Sequence, residues 1–335
     1  MSVFVIAEAG ANHNKSIKQA FSLIDVAKEA GADAVKFQTY TSETLYSKNT
    51  PNFAGLTDIS KLIKDIELPR SWQKDLKQYC DEVGIEFMST PFDESAVSQL
   101  VNIGVKRLKI AGFEATDPRF VRMVASSGLP IIVSAGIGSN LKSIEALIEW
   151  INKEQKDPDI TILHCNNAYP TPDTDIFLNR IDSIKSTYPS VKIGLSDHTK
   201  GILAPALAVA KGATCIEKHY TLSRRLPGPD HPFALEPHDL KQMVKNIRAA
   251  EAMCTDTVSE ISNSEEKFQK GMRSVVATRD IKKGELLTVD NTTTKRPFLP
   301  GNYHAKSYYD LLGMRLTQDV ACDGFIRIGE IENEK

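Results

Sequence analysis

The chain lacks several features that would place it in a broad class at once. Its 335 residues contain no apolar run that approaches the ~20 residues of a membrane-spanning helix. Lys and Arg number 41 and Asp and Glu number 43, so the formal net charge is only −2. A near-neutral chain gives no electrostatic reason to bind nucleic acid or an anionic membrane. An anionic small molecule would need a local cluster of basic side chains.

Cysteine is scarce and has no informative spacing. The five cysteines are an odd number and contain no CxxC pair, which is typical of a reducing compartment. The opening segment MSVFVIAEAG lacks the basic start and long apolar stretch of a signal peptide. We therefore expect a soluble cytoplasmic protein, with 41% hydrophobic residues available for its core.

Short β-branched segments alternate with helical patterns over the first three quarters of the chain. This alternation predicts a parallel sheet with crossover helices. Eight units in ~250 residues are the size of a closed (β/α)8 TIM barrel, and no GxGxxG follows the first strand to favour an open doubly wound sheet. The predicted strands are 3–10, 34–39, 85–92, 107–114, 130–136, 160–167, 192–199 and 215–221.

Polar side chains stand near the carboxyl end of every predicted strand. In a barrel these ends meet at one mouth, where the active site lies. A single polar strand end is usually structural, but buried charges that converge need partners or a ligand. The charged and histidine members are Glu8, Lys36, Lys109, Glu114, His164, His198, Glu217 and His219.

His198 and His219 end the neighbouring strands seven and eight. Two imidazoles so placed can reach one divalent metal ion and leave positions open for water or substrate. Each histidine alone fits a hydrogen-bonding role in the core equally well, but the pair in register favours a metal. We interpret His13 as shaping the loop after strand one and His231 as structural, close to the mouth.

Lys36 and Lys109 are the candidates for holding an anion. Ser134, Asn167 and Ser196 follow nearby strands and would complete a phosphate cradle with neutral donors. The set suits a phosphorylated carboxylate better than an aldolase pocket. A Schiff-base lysine remains the alternative.

The pattern changes near residue 255. We predict a barrel over 1–254, a polar linker over 255–271 and a β-rich domain over 272–335. Two segments of the last domain, SVVATRDIKKGELLTVDN and RLTQDVACDGFIRIGEI, form a weak internal repeat. Between them lies TKRPFLPG, whose Arg296 belongs either to a solvated turn or to an arm presented to a site.

Nine motifs together resemble the sialic acid synthase family. Enzymes of this family condense phosphoenolpyruvate with an N-acetylated hexosamine to form a nine-carbon 2-keto acid. Their fold is a (β/α)8 barrel followed by an antifreeze-like (SAF) domain. The motifs occur in family order: AEAGANHN, AVKFQT, STPF, KIAGFE, HCNNAYPTP, GLSDHT, IEKHYTL, PGPDH and KKGELL with TTKRP.

The resemblance implies roles for particular residues. His198 and His219 would bind a divalent metal, usually Mn²⁺, with Mg²⁺ or Co²⁺ as alternatives. Glu8 and Glu114 are the candidates for proton handling. Phosphoenolpyruvate would contact Lys36, Lys109, Ser134, Asn167 and Ser196, and the sugar would contact Gln38, Tyr169, Asp230 and Arg296.

The resemblance also implies an assembly and a choice of acceptors. In the family the arginine matching Arg296 comes from the partner chain of a domain-swapped homodimer. N-acetylmannosamine, leading to N-acetylneuraminate, is the default acceptor. A 2,4-diacetamido-2,4,6-trideoxyhexose, leading to legionaminic or pseudaminic acid, is the alternative. Two positions depart from the family pattern: Gly112 replaces a frequent serine and Lys270 replaces an aromatic residue.

Overall fold

The computed structural model describes residues 2–51, 58–255 and 261–332. The chain divides into two compact units, 1–255 and 256–335. The first unit carries eight parallel strands in the order β3-β2-β1-β8-β7-β6-β5-β4, which confirms the predicted (β/α)8 barrel. The strands are β1 (Phe4–Gly10), β2 (Ala34–Thr39), β3 (Glu86–Pro91), β4 (Leu108–Ile110), β5 (Ile131–Ala135), β6 (Ile160–Cys165), β7 (Lys192–Asp197) and β8 (Cys215–His219).

Amphipathic helices cover the outside of the barrel. The first begins where the Ser16 hydroxyl accepts the backbone N–H of Gln19, and it ends at Gly31, whose φ of 83° suits glycine. No helix within the described ranges is both long enough and apolar enough to cross a membrane. The helices are α1 (Ile17–Ala30), α2 (Ser42–Leu45), α3 (Ile59–Ile66), α4 (Gln73–Val83), α5 (Glu94–Asn102), α6 (Pro118–Ala125), α7 (Leu141–Asn152), α8 (Asn179–Thr187), α9 (Leu203–Ala210) and α10 (Pro237–Met253).

Side chains join β3 and β4, the two ends of the hydrogen-bonded strand order. Arg107 donates from Nε to Glu86 Oε1 at 2.7 Å and from Nη2 to Glu86 Oε2 at 3.2 Å. The guanidinium also lies 4.4 Å from the centroid of the Phe4 ring. This bidentate pair links the amino ends of the two strands, away from the predicted mouth.

The barrel interior is arranged in layers. An apolar layer is formed by Ile6, Ala34, Met88, Ile132, Leu163 and Cys215. Because side chains alternate along a strand, residues two positions later point into the same interior, one layer nearer the carboxyl ends. Those residues are Glu8, Lys36, Thr90, Ser134, Cys165 and Glu217. The polar mouth therefore rests on an apolar floor.

Gly194 lies on β7 at the level of this floor. A Cβ at this position would lie 2.1 Å from the carbonyl oxygen of Cys215 and 2.6 Å from Cδ2 of Leu163. The backbone of β7 thus approaches β8 too closely for any side chain. Glycine is required here by the close approach of two strands.

The second unit contains two short antiparallel strands and a short helix. These are β9 (Ser274–Ala277), β10 (Thr292–Lys295) and α11 (Tyr308–Leu311). Its own small core includes Val275, Ile281, Leu316 and Ile326.

The internal repeat of the second unit appears as reciprocal contacts between its halves. Asp280 Oδ1 accepts the backbone N–H of Cys322 at 2.7 Å, and Asp319 Oδ1 accepts that of Lys283 at 2.8 Å. Asp280 and Asp319 hold matching places in the two segments, as do Lys283 and Cys322. Each half therefore caps a turn of the other.

Candidate active site

Four charged side chains form a compact network in the barrel mouth. Lys36 Nζ lies 2.7 Å from Glu8 Oε2 and 3.7 Å from Glu217 Oε2, while Lys109 Nζ lies 3.7 Å from Glu217 Oε1. None of the four residues is more than 5% exposed. We call this set the charged network. Its two positive and two negative charges balance in a site that is almost fully buried.

Hydroxyl groups complete the surroundings of both lysines. Lys36 Nζ donates to Thr90 Oγ1 at 2.9 Å, and Lys109 Nζ donates to Ser134 Oγ at 2.7 Å. Ser196 Oγ donates to Glu217 Oε1 at 3.2 Å. No role was predicted for Thr90 or Glu217. Both lie in the motifs STPF and IEKHYTL, and both occupy strand positions that point into the barrel.

The charged network surrounds a small cavity of about 40 Å³. The cavity brings together ten of the thirteen residues predicted from the sequence as well as five that were not. The predicted residues are Glu8, Lys36, Gln38, Lys109, Ser134, Asn167, Tyr169, Ser196, His198 and His219, and the additional ones are Thr90, Ala111, Gly112, Cys165 and Glu217.

The environment separates the two carboxylates of the charged network. Burial raises the pKa of Glu8 to about 7, against the opposing charge of Lys36. Burial also acts on Glu217, but the charges of Lys109 and Lys36 outweigh it and hold the pKa of Glu217 below its ordinary value. The carboxyl group of Glu217 is thus ionised at neutral pH, whereas that of Glu8 gains or loses its proton near pH 7.

His198 and His219 lie side by side at the mouth, with ring centroids 5.5 Å apart. Nδ1 of His198 donates to the backbone carbonyl of Asn166 at 2.6 Å, which leaves the lone pair on Nε2. Nδ1 of His219 is buried and has no hydrogen-bond partner among the residues described. Burial lowers the pKa of His198 to about 4 and that of His219 well below its usual value. Both rings are therefore in the neutral form that binds metals.

This histidine pair fits a divalent metal ion that takes its remaining ligands from water or substrate. No cluster of three or more His, Cys, Asp or Glu side chains suited to a metal occurs in the part of the chain that the structure describes. The nearest carboxylate oxygen to His219 Nδ1 is Oδ2 of Asp230, at 3.8 Å. The arrangement suits an open site rather than a closed structural one.

Aromatic rings and a fixed loop border the two histidines. The Tyr169 ring centroid lies 4.1 Å from that of His198, and the Phe233 ring lies 5.3 Å from that of His219. Asp230 is not among the residues that line the small cavity, but its Oδ2 lies 3.8 Å from His219 Nδ1 and accepts the backbone N–H of Ala11 at 3.4 Å. Among the predicted sugar contacts, Gln38 reaches the charged network directly, because its Nε2 donates to Oε1 of Glu8 at 3.0 Å.

Glu114 lies elsewhere than the sequence suggested. The predicted strand 107–114 was too long, because β4 ends at Ile110 and Glu114 begins a short 3-10 turn, Glu114–Thr116. The turn carries Glu114 out of the small cavity and into the wall of a neighbouring one of about 550 Å³. Burial raises the pKa of Glu114, and its Oε2 has no partner within the described residues.

The two departures from the family pattern have different surroundings. A Cβ on Gly112 would lie 3.0 Å from both Oδ1 and Nδ2 of Asn167, so Asn167 takes the space that a serine would need. Lys270 lies in the 3-10 turn Glu266–Gly271 of the second unit. Arg296 is an exposed residue of that unit and follows β10 directly.

Comparison with known proteins accounts for both units. Residues 23–259 match the NeuB family and residues 272–332 match the SAF domain. The chain belongs to the NeuB family. The SAF match coincides with the β-rich domain expected from the repeat.

NeuB-family relatives align over almost the whole chain. A pseudaminic acid synthase of Campylobacter jejuni is 37% identical over 337 residues, covering 98% of this chain and 97% of its own. An N,N'-diacetyllegionaminic acid synthase of the same species is 38% identical over 332 residues, covering 96% and 98%. The solved N-acetylneuraminic acid synthetase of Leptospira borgpetersenii is 36% identical, with a TM-score of 0.73 and coverage of 80% and 90%.

Proposed function

We propose that this enzyme condenses phosphoenolpyruvate with the open-chain aldehyde of an N-acetylated hexosamine, while water adds at C2 and phosphate leaves, to form a nine-carbon 2-keto sugar acid. Nonulosonic acid synthesis is the reaction class of the named synthases to which the chain is similar. The observation that carries the proposal is the charged network around a cavity of about 40 Å³. Its two lysines and its hydroxyl donors suit the phosphate and carboxylate groups of a phosphorylated carboxylate.

Lys36 and Lys109 hold the phosphate in this proposal. Their ammonium groups are already oriented by Thr90 and Ser134, at 2.9 and 2.7 Å, so little reorganisation accompanies binding. Fixed positive charge in a dry site stabilises the negative charge that grows on a departing phosphate. Ser196 and Asn167 add neutral donors around it.

His198 and His219 would hold a divalent metal ion, with Mn²⁺ as the first candidate and Mg²⁺ or Co²⁺ as alternatives. Such an ion, when bound, supplies Lewis acidity toward the sugar aldehyde. The chain's own contribution is to fix the His198 ring through the Asn166 carbonyl at 2.6 Å. The rings of Tyr169 and Phe233 shield the two imidazoles from bulk water.

We propose Glu114 and Glu8 as the two candidates for proton handling, and Glu114, in the wall of the neighbouring cavity, as the first to test. A general base must offer a free lone pair, and Oε2 of Glu114 is unpartnered among the described residues. Glu8 is held by an ion pair, since its Oε2 lies 2.7 Å from Lys36 Nζ without making a hydrogen bond, and its Oε1 accepts from Gln38. Burial raises the pKa of both carboxyl groups, that of Glu8 to about 7, so the proton affinity of each moves toward that needed at neutral pH.

Gln38, Tyr169, Asp230 and Arg296 are proposed to contact the sugar. N-acetylmannosamine is the first acceptor to test, with N-acetylneuraminate as its product. The relatives named for pseudaminic and legionaminic acid support a 2,4-diacetamido-2,4,6-trideoxyhexose as the second. We further propose a cytoplasmic domain-swapped homodimer, in which Arg296 is supplied by the partner chain.

The deciding experiment is phosphate release from phosphoenolpyruvate with Mn²⁺ and each sugar. Release should require both sugar and metal, and His219→Ala should remove most of it. The acceptor with the higher kcat/KM identifies the product. Release without sugar, or full activity in the presence of a chelator, would contradict the proposal. Borohydride trapping of a substrate on Lys36 or Lys109 would instead support the Schiff-base alternative.

A further inference from the structure

A buried ion pair lies directly behind the two histidines, where the proposed chemistry does not use it. Lys218 Nζ lies 2.6 Å from Asp197 Oδ2, and the two side chains are 1% and 0% exposed. Because side chains alternate along a strand, Lys218 and Asp197 point away from the interior that His219 and His198 face. The pair therefore occupies the outer side of the sheet at the level of the candidate metal ligands.

Lys218 holds the chain on both sides of His198. Besides Asp197, which precedes His198, its Nζ donates to the backbone carbonyl of Thr199, which follows, at 2.5 Å. Asp197 Oδ1 in turn accepts the backbone N–H of Thr199 at 2.8 Å. Lys218 itself immediately precedes His219. One ammonium group thus ties the backbone that carries one histidine to the backbone that carries the other.

No backbone pairing between β7 and β8 connects the two strands at the level of His198 and His219. The register of β7 and β8 ends at the pair Asp197 and Lys218. Beyond it, His219 is paired with Glu8 on β1, and the His198 carbonyl accepts the N–H of Thr171 at 2.9 Å. Each histidine is therefore anchored to its other neighbour, and the Lys218 side chain spans the gap between them.

We propose that Lys218 and Asp197 form a positioning pair that sets the spacing of His198 and His219 for the metal ion. This inference rests on the proposed function, because it takes the histidine pair to be the metal site. Stability alone is a weak reason for such a pair, since buried ion pairs replaced by apolar residues of similar volume often leave stability unchanged or improved. Outer partners of metal ligands, by contrast, typically affect metal affinity about 10- to 100-fold.

The test uses the double variant Asp197→Asn/Lys218→Met. It removes both charges, keeps side-chain volume, and leaves an Oδ1 to accept the Thr199 N–H. Glu86→Gln/Arg107→Gln is the matched control, because it neutralises another ion pair between barrel strands, at their amino ends. Mn²⁺ affinity is measured from the electron paramagnetic resonance signal of the free ion, and folding from circular dichroism and Tm.

We expect the Mn²⁺ Kd of the Asp197→Asn/Lys218→Met variant to rise about 10- to 100-fold, with the Kd of the control unchanged. Wild-type affinity in the positioning-pair variant, or equal weakening in both variants, would overturn the inference. If the double variant does not fold, the apolar pair Asp197→Leu/Lys218→Met carries the test, and an unchanged Kd in that variant overturns the inference. A wild type that binds no Mn²⁺, or His219→Ala with wild-type affinity, would overturn the proposed metal site itself.

Discussion

Gly194→Ala adds only a methyl group, but it should displace the strand that carries Ser196 and lower the activity of the enzyme. The new Cβ would lie 2.1 Å from the carbonyl oxygen of Cys215, whereas ordinary contacts begin near 3.4 Å. A backbone carbonyl in a ladder cannot turn aside as a flexible side chain can. The substitution must therefore push β7 and β8 apart by about 1 Å, with the overpacking cost that a filled core imposes.

The expected effects on stability and on catalysis differ in size. Overpacking costs roughly 1–3 kcal/mol, and about 1 kcal/mol lowers Tm by ~2–4 °C in a domain of this size. Ser196 and His198 follow Gly194 on the displaced strand. A misplacement of ~1 Å in a catalytic constellation can cost about 10²-fold in rate. We therefore expect kcat/KM to fall about 100-fold while most of the protein remains folded.

Phosphate release and thermal unfolding together check this reasoning. Gly271→Ala is the control, because its Cβ would meet nothing within 4 Å. Combining Gly194→Ala with Leu163→Ala should not restore activity, since the contact with the Cys215 carbonyl remains. Wild-type Tm and kcat/KM in Gly194→Ala would refute the clash itself. A lowered Tm with unchanged kcat/KM would refute the link between strand spacing and catalysis.

Two further predictions address the proton and the sugar. Glu114→Gln should lower kcat by about 10² or more and abolish the acid limb of its pH profile. In the wild type that limb should lie above pH 4.5, because burial raises the pKa of Glu114 and the base is lost as pH falls through it. A wild-type profile in the variant would exclude this base. Arg296→Ala should raise KM for the sugar more than KM for phosphoenolpyruvate, and equal increases in steady-state assays would argue against a sugar contact.

The convergence of lysine and serine side chains at the barrel mouth could be predicted because strand periodicity fixes it. Four of these side chains lie on separate strands, but each occupies a position that points into the barrel near the carboxyl end of its strand. They are Lys36, Lys109, Ser134 and Ser196. Because the strands are parallel, their carboxyl ends gather these side chains at the same end of the barrel. The same rule places Glu217 at the mouth, two residues after the apolar floor residue Cys215, although no role was predicted for it.

Strand length and loop geometry could not be predicted from periodicity. β4 has only three residues, and the turn after it decides which cavity Glu114 lines. Nothing in KIAGFE distinguishes a strand that continues from one that stops at Ile110. The Lys218–Asp197 pair could not be predicted for a different reason. Its side chains point away from the barrel interior, whereas the strand-end rule selects only side chains that point into it.

The charge balance of the mouth places a requirement on its ligand. The charged network is neutral by itself, whereas a phosphate group carries about −1.5 to −2 at pH 7 and phosphoenolpyruvate adds a carboxylate. Uncompensated negative charge is costly where water is excluded. A divalent cation on His198 and His219 would offset it, as would a proton on Glu8, whose pKa burial raises to about 7. Metal and phosphoenolpyruvate should therefore bind with positive coupling, and linkage requires each to tighten the other by the same factor.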